Sequence, residues 1–236
     1  MSPNTMISYE KDYGNPNCPE RLSFEKRLTT LWEIGARISV ELQNYNILND
    51  KNYNILFKYS PAYFQLAVYN LYALAVIDLS ALLDNTSKTG IKKFIHTSLQ
   101  NKDKIFTKEF YKHNNFGIIK VKMPKPIDVL NECIALLNEK QPLISLIKKD
   151  RDKIFAHFDE NFLLSNKLDI STTYEDLIEA LNLINKIINK LGFSYDRTAR
   201  SFFPINFDYI KQTKNILALY EKHTDAILSL EYPETI

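Results

Sequence analysis

The sequence predicts an all-α fold, a helical bundle. Three observations point there. Glycine is scarce, with five in 236 residues, which leaves few positions for the turns of a β-rich fold. Apolar residues recur at three- and four-residue spacing through long stretches, which is the helical period. Those stretches are punctuated as helices are, with Pro19, Ser60-Pro61, Pro126 and Thr173 at their starts.

Residues 1–18 are polar and read as a flexible N-terminal tail, followed by a single helical domain over 19–236. A first helix starts near Pro19, since proline's fixed φ suits a first helical position. Leu28, Leu31, Trp32 and Ile38 supply its apolar stripe, and the asparagine cluster 44-NYNILNDKNYN-54 ends it. Ser60-Pro61 opens a second helix that Asp84-Asn85 closes. It is apolar on most sides, which makes it the central helix of the bundle. Gln65, Asn70 and Asp78 interrupt the run, so it reads as a core helix and not as a membrane span. Asp78 reads as a polar residue at the edge of the buried face; a carboxylate turned to an active centre is the alternative.

Residues 86–126 form a lysine-rich insertion with a short helix near 91–99. Within it, 116-FGIIKVKM-123 alternates like a strand, without an evident partner strand. A third helical region follows Pro126, with Ile127, Leu130, Ile134 and Leu137 as its inner face. Pro142 breaks or kinks it, and a helix resumes through Leu143, Ile147 and Ile154. Thr173 and Asp176 resemble a capping box for a helix over 174–191, with Gly192 as its stop. An aromatic linker at 193–207 leads to an extra C-terminal helix from about 208 to 230. In that linker Tyr195, Arg197 and Arg200 could stack on or clamp RNA, although packing over the bundle suits the aromatics better.

Hydrophobic residues make up 45% and charged residues 25%, the balance of a soluble globular chain. Gly-rich phosphate loops and dinucleotide fingerprints are missing, so no cofactor is expected. Cys18 and Cys133 form no ligand pattern and read as reduced thiols of a cytoplasmic protein. The net charge of +2 hides an asymmetry, because residues 86–126 carry ten lysines against Asp103 and Glu109. Such an excess attracts polyanions, and Lys92 and Lys93 are candidates to contact RNA; a solvated lysine-rich loop is the alternative. His96, His113 and His223 read as surface residues.

The stretch 148-KKDRDKIFAHFDE-160 carries the chemistry. Histidine titrates near neutral pH and can take a proton from a ribose 2′-hydroxyl or give one to a leaving oxygen. Arginine keeps its charge and offers a planar fork that suits phosphate oxygens. Arg151 and His157 therefore suffice in principle for metal-independent RNA cleavage, with Asp152 orienting either side chain. On an ideal helix the two lie about 120° apart and share no face. Joint action requires the helix to loosen near Ala156 or a second copy of the chain to complete the site. Lys148, Lys149 and Lys153 lie beside the pair as candidate RNA contacts. A charged histidine at a helix C-terminus is the plain structural alternative.

The string R151-D-K-I-F-A-H157-F-D159 resembles the signature of the HEPN superfamily, an arginine, four to six intervening residues, then a histidine. The Arg-Asp-Lys-x-x-Ala-His-x-Asp form is similar to the AbiU-like branch linked to bacterial abortive infection. The order of 71-LYALAVIDLSALLD-84, 91-IKKFIHTSLQ-100 and 174-YEDLIEALNLINKIINKLG-192 around the motif fits the same layout, over roughly residues 20–230. The resemblance implies a HEPN-like bundle that dimerises with its two motifs facing each other. It also implies an endoribonuclease of phage defence or a toxin–antitoxin pair, with an antitoxin protein as a possible partner. Arg151 would contact phosphate, His157 would be the acid/base, and Asp152 fills a position often held by asparagine in other HEPN groups. A non-catalytic HEPN module that binds RNA or a protein is the alternative. A metallohydrolase using His157, Asp159 and Glu160 is more distant, because those ligands lack a familiar metal spacing.

Overall fold

Pro19 occupies the first turn of α1 (Pro19–Leu48), where a missing N–H leaves no helical bond unmade. The computed structural model describes residues 18–49, 61–85, 87, 90–107, 125–156, 171–196, 198–200, 202, 211–212, 214–219 and 222. After α1 come α2 (Pro61–Leu83), α3 (Ile91–Gln100), the single turn α4 (Lys102–Ile105), α5 (Pro126–Glu139), α6 (Gln141–Ala156) and α7 (Tyr174–Asp196). Residues 211–212 and 214–219 are helical as well, and no strand occurs among the described residues. The strand-like piece 116–123 lies outside them, as do residues 1–17. Cys18, assigned to the tail, is buried and its thiol donates to Glu20.

The bundle closes around α2, which packs most extensively against α1 and α6. Leu28, Ile38 and Leu42 of α1 meet Ala75, Val76 and Leu79 of α2, with Ile184, Ile187 and Ile188 of α7 in the same cluster. Each fully buried Leu or Ile contributes about 1.5–3 kcal/mol of transfer free energy. The helical period therefore becomes a core only when these stripes face one another. A smaller cluster joins Leu48 and Phe64 to Leu217, which seats the last helical residues on the α1–α2 junction.

Several expectations change. The lysine-rich stretch is partly core, because Ile91, Phe94, Ile95 and Ile105 are buried, and among its described residues the exposed side chains are polar. The inner face of α5 is Val129, Leu130, Cys133 and Leu137, with Ile127 exposed and Ile134 half-buried. The observed stripe keeps Leu130 and Leu137 of the expected one and takes Val129 and Cys133 in place of Ile127 and Ile134. Lys140 separates α5 from α6, so Pro142 sits in the first turn of a new helix. α2 is less enclosed than expected, with Tyr63, Leu66 and Leu74 exposed. It is long and apolar enough to cross a membrane, at a mean hydropathy of 1.8 over 18 residues, but 44% of that window is buried inside the bundle.

Gly192 does not end α7, which runs on to Asp196. A Cβ at 192 would lie 2.3 Å from Arg200 Nη1 and 3.0 Å from the Thr198 carbonyl oxygen. The glycine serves a close approach of the returning chain. Asp196 instead makes the ending, accepting from the Thr198 N–H (2.9 Å) and the Arg200 guanidinium. The first four residues of the expected aromatic linker are thus helical. Tyr195 is buried and donates to Glu25, the packing that suits the aromatics better; Arg200 pairs with Asp196, and Phe202 is buried in the core. Arg197 lies outside the described residues.

Candidate functional site

Six successive residues of α6, Lys148 to Lys153, fan around the helix at about 100° per residue. Ile144, Ile147 and Ile154 hold one face in the core. Asp150 lies between Ile147 and Ile154 at helical spacing, so it is buried with them. Arg151 lies four residues after Ile147 and emerges at the edge of that face.

Arg151 is gripped from two sides. Its Nη1 donates to Asp84 Oδ2 at 3.2 Å, while Nε and Nη2 donate to Asp152 Oδ1 at 2.9 and 2.6 Å. The Arg151 side chain is 19% exposed, Asp84 11% and Asp152 60%. One carboxylate is thus a fixed wall and the other an open, displaceable neighbour. Burial works against the guanidinium charge, but its hydrogen bonds to Asp152 and Asp84 outweigh that and hold the group above its usual range. Lys148 Nζ lies 3.6 Å from the other Asp84 oxygen.

Asp84 follows directly on α2, and the chain folds tightly behind it. The Asp84 carbonyl accepts from the Ser87 N–H at 3.3 Å, and a Cβ on Gly90 would stand 2.4 Å from that oxygen. Gly90 is the N-cap of α3, so this close approach puts the first turn of α3, with Lys92 and Lys93, beside the Asp84 corner. Lys92 donates to Asn138 of α5 (3.4 Å), and Lys93 is exposed. No hydrogen bond or ion pair joins either lysine to Arg151. Lys149 is exposed, and Lys153 lies 3.7 Å from Asp150 and donates to Ser171.

Asp150, which sequence reasoning did not single out, is the structural pin of the region. Its Oδ2 accepts from the Ser171 N–H (2.8 Å), the Thr172 N–H (2.6 Å) and the Thr172 hydroxyl (2.7 Å). The Tyr72 hydroxyl donates to the Thr172 carbonyl at 3.0 Å, tying α2 into the same network. Immediately beyond, the expected capping box forms, with the Asp176 N–H donating to Thr173 Oγ1 (3.2 Å) and the Thr173 N–H to Asp176 Oδ2 (2.8 Å). The only signal for Asp150 in sequence was an acid in step with Ile147 and Ile154.

His157, Asp159 and Glu160 lie outside the described residues; of the proposed catalytic set, Arg151 and Asp152 are described and in contact. No group of three His, Cys, Asp or Glu among the described residues is placed to hold a metal ion. Asp78 sits at a polar edge as expected, accepting from Arg37 Nε at 2.9 Å. Burial pushes the Cys133 thiol up to about 12, so it stays protonated and is no nucleophile.

A family model described as AbiU2, of the HEPN group, matches residues 22–216. No curated protein and no solved structure matches the chain.

Proposed function

The chain belongs to the AbiU2 family of HEPN proteins, and on that premise we propose that it is a metal-independent endoribonuclease of a phage-defence or toxin–antitoxin system. Arg151 holds the non-bridging oxygens of the scissile phosphate and steadies the charge that grows there. His157 takes the proton of the ribose 2′-hydroxyl as its oxygen attacks phosphorus, and an imidazolium returns a proton to the departing 5′-oxygen. Two copies of the chain supply the two imidazoles. Exposed Tyr63, Leu66 and Leu74 on α2 support such pairing, because large apolar side chains gain by being covered. The protein acts in the cytoplasm, beside its RNA and an antitoxin protein.

One observation carries the reading: the Arg151 guanidinium is charged, fixed on one side by Asp84 and open on the other through exposed Asp152. A phosphate can replace Asp152 on the fork while Asp84 keeps its orientation. The test is purified protein incubated with total RNA in EDTA. Cleavage should survive the chelator and vanish in His157→Ala. Intact RNA at high protein concentration overturns it.

A second reading has an observation of its own. Both sides of the Arg151 fork are already satisfied by carboxylates, as in a structural ion pair. The protein would then be a non-catalytic HEPN module that binds RNA or a partner through its dimer, and RNA would be bound but left whole.

A further inference from the structure

Beside the Asp150 network lies a cleft of about 470 Å³ that the Arg151 chemistry does not use. Its size falls in the ~300–1,000 Å³ range of small-molecule sites. Three tyrosines, Tyr45, Tyr69 and Tyr72, line it together with the amides of Asn49 and Gln65, and no charged side chain among the described residues does. A neutral, aromatic, amide-bearing lining suits a flat uncharged ring with hydrogen-bonding edges; it does not suit a phosphate.

Two features show an arranged surface. Tyr45 stacks on Tyr174 with centroids 6.0 Å apart at 21°, and sits at 5.7 Å from Tyr72, so one wall is a fixed aromatic column. The Tyr72 hydroxyl is in turn held by Thr172, and Thr172 by Asp150, the residue before Arg151. Tyr69 differs, being half-buried with its ring against no other aromatic among the described residues. Asn49 and Gln65 are exposed, and their amides bond to no described residue. Among the described residues, the cleft thus offers the accessible part of the Tyr69 ring and two amides without hydrogen-bond partners.

We propose that this cleft takes an unpaired nucleobase of the RNA strand whose phosphate Arg151 holds, with Tyr69 as the stacking surface and Asn49 and Gln65 reading the base edge. Single-stranded RNA is recognised in this way, by stacking on aromatic rings and hydrogen bonds to base edges. The proposal rests on the RNA reading above and adds to it a base-specific subsite. The hydrogen-bonded path from Tyr72 to Asp150 fixes the subsite relative to the motif.

The test is binding of a short labelled single-stranded RNA, read by fluorescence anisotropy in the His157→Ala background so that the strand stays whole. Tyr69→Ala should weaken binding on the order of ten-fold, while Tyr69→Phe, which keeps the ring, should bind nearly as before. An abasic nucleotide walked along the strand should reveal one position with a similar loss, and that loss should disappear in Tyr69→Ala. RNA binding that is unchanged in Tyr69→Ala, or abasic losses that add in full to it, overturns the subsite and leaves the RNA reading standing. No RNA binding by the parent overturns both. If Tyr69→Ala does not fold, the abasic walk on the parent, with exposed Gln65→Ala as a second variant, decides alone; a walk without a sensitive position overturns the subsite.

Discussion

The Arg151 guanidinium donates to the Asp84 carboxylate across 67 residues of chain, joining α6 to the end of α2. Asp84 holds one edge of the fork and Asp152 the other, yet the two acids differ fivefold in exposure, at 11% and 60%. That difference divides their roles.

In the proposed function Asp152 competes with phosphate for the Arg151 nitrogens it now accepts from. Asp152→Asn should therefore tighten RNA binding a few-fold with the fold intact, while Arg151→Ala should lower cleavage by about 100-fold or more, the scale of losing one charge-stabilising donor. Arg151→Lys should rescue little, because an ammonium cannot replace a planar fork. Anisotropy and a gel-based cleavage assay measure the two effects.

Asp150 should matter more for stability than any of the exposed charges. Asp150→Ala strips Ser171 and Thr172 of a buried carboxylate acceptor of three hydrogen bonds and should lower the unfolding free energy by about 3–5 kcal/mol. Asp150→Asn, which keeps one acceptor oxygen, should cost about 1–3 kcal/mol. Urea unfolding followed by circular dichroism checks both.

Gly90→Ala tests the corner behind Asp84. Its φ of −63° suits any residue, so the penalty comes from space alone. The obstructing atom is a backbone oxygen at 2.4 Å that cannot swing away, and the expected loss is about 1–3 kcal/mol. Thermal melting reads it out, and a matched fall in RNA binding would show Asp84 shifting under Arg151.

Glu41 gives the fold a pH dependence. It is buried between α1 and α2, its Oε2 lacks a hydrogen-bond partner among the described residues, and its Oε1 lies 3.8 Å from Arg37 Nε. Burial first, and then the charge of Asp78, push its carboxyl up to about 7 from 4.5, against the pull of Arg37. The folded chain thus keeps a proton that the unfolded chain releases. The stability this group contributes is complete below about pH 4.5 and is lost as pH rises through about 7. Glu41→Gln should raise the unfolding free energy at pH 8 and change it little near pH 4.5; urea titrations at the two pH values measure the difference.

Pairing of two copies predicts a solution mass of twice the 27.5 kDa chain. Size-exclusion chromatography with light scattering at micromolar concentration should show it, and Leu74→Asp on exposed α2 should shift the population toward monomer.

Much of the fold was legible because its signals are local. Pro19, Pro126 and the Thr173–Asp176 box mark helix starts through capping chemistry confined to one turn, and all three start helices where expected. Gly192 misled because the same residue serves a helix stop and a close chain approach, and only the position of Arg200 distinguishes them. Ile127 misled because it lies at helical spacing from Leu130 yet in the first turn of α5, where the buried face is taken by Val129 instead.

The order of chain chemistry by itself determined the helical class and the residues that could do acid–base and phosphate chemistry, since turn formation, amphipathic period and side-chain type act over a few residues. Which acid faces Arg151, why Asp150 is buried and which tyrosines line a common cleft were decided by tertiary structure alone. Those depend on which helices pack together and at what rotation, and packing joins groups such as Asp84 and Arg151 that no local spacing relates.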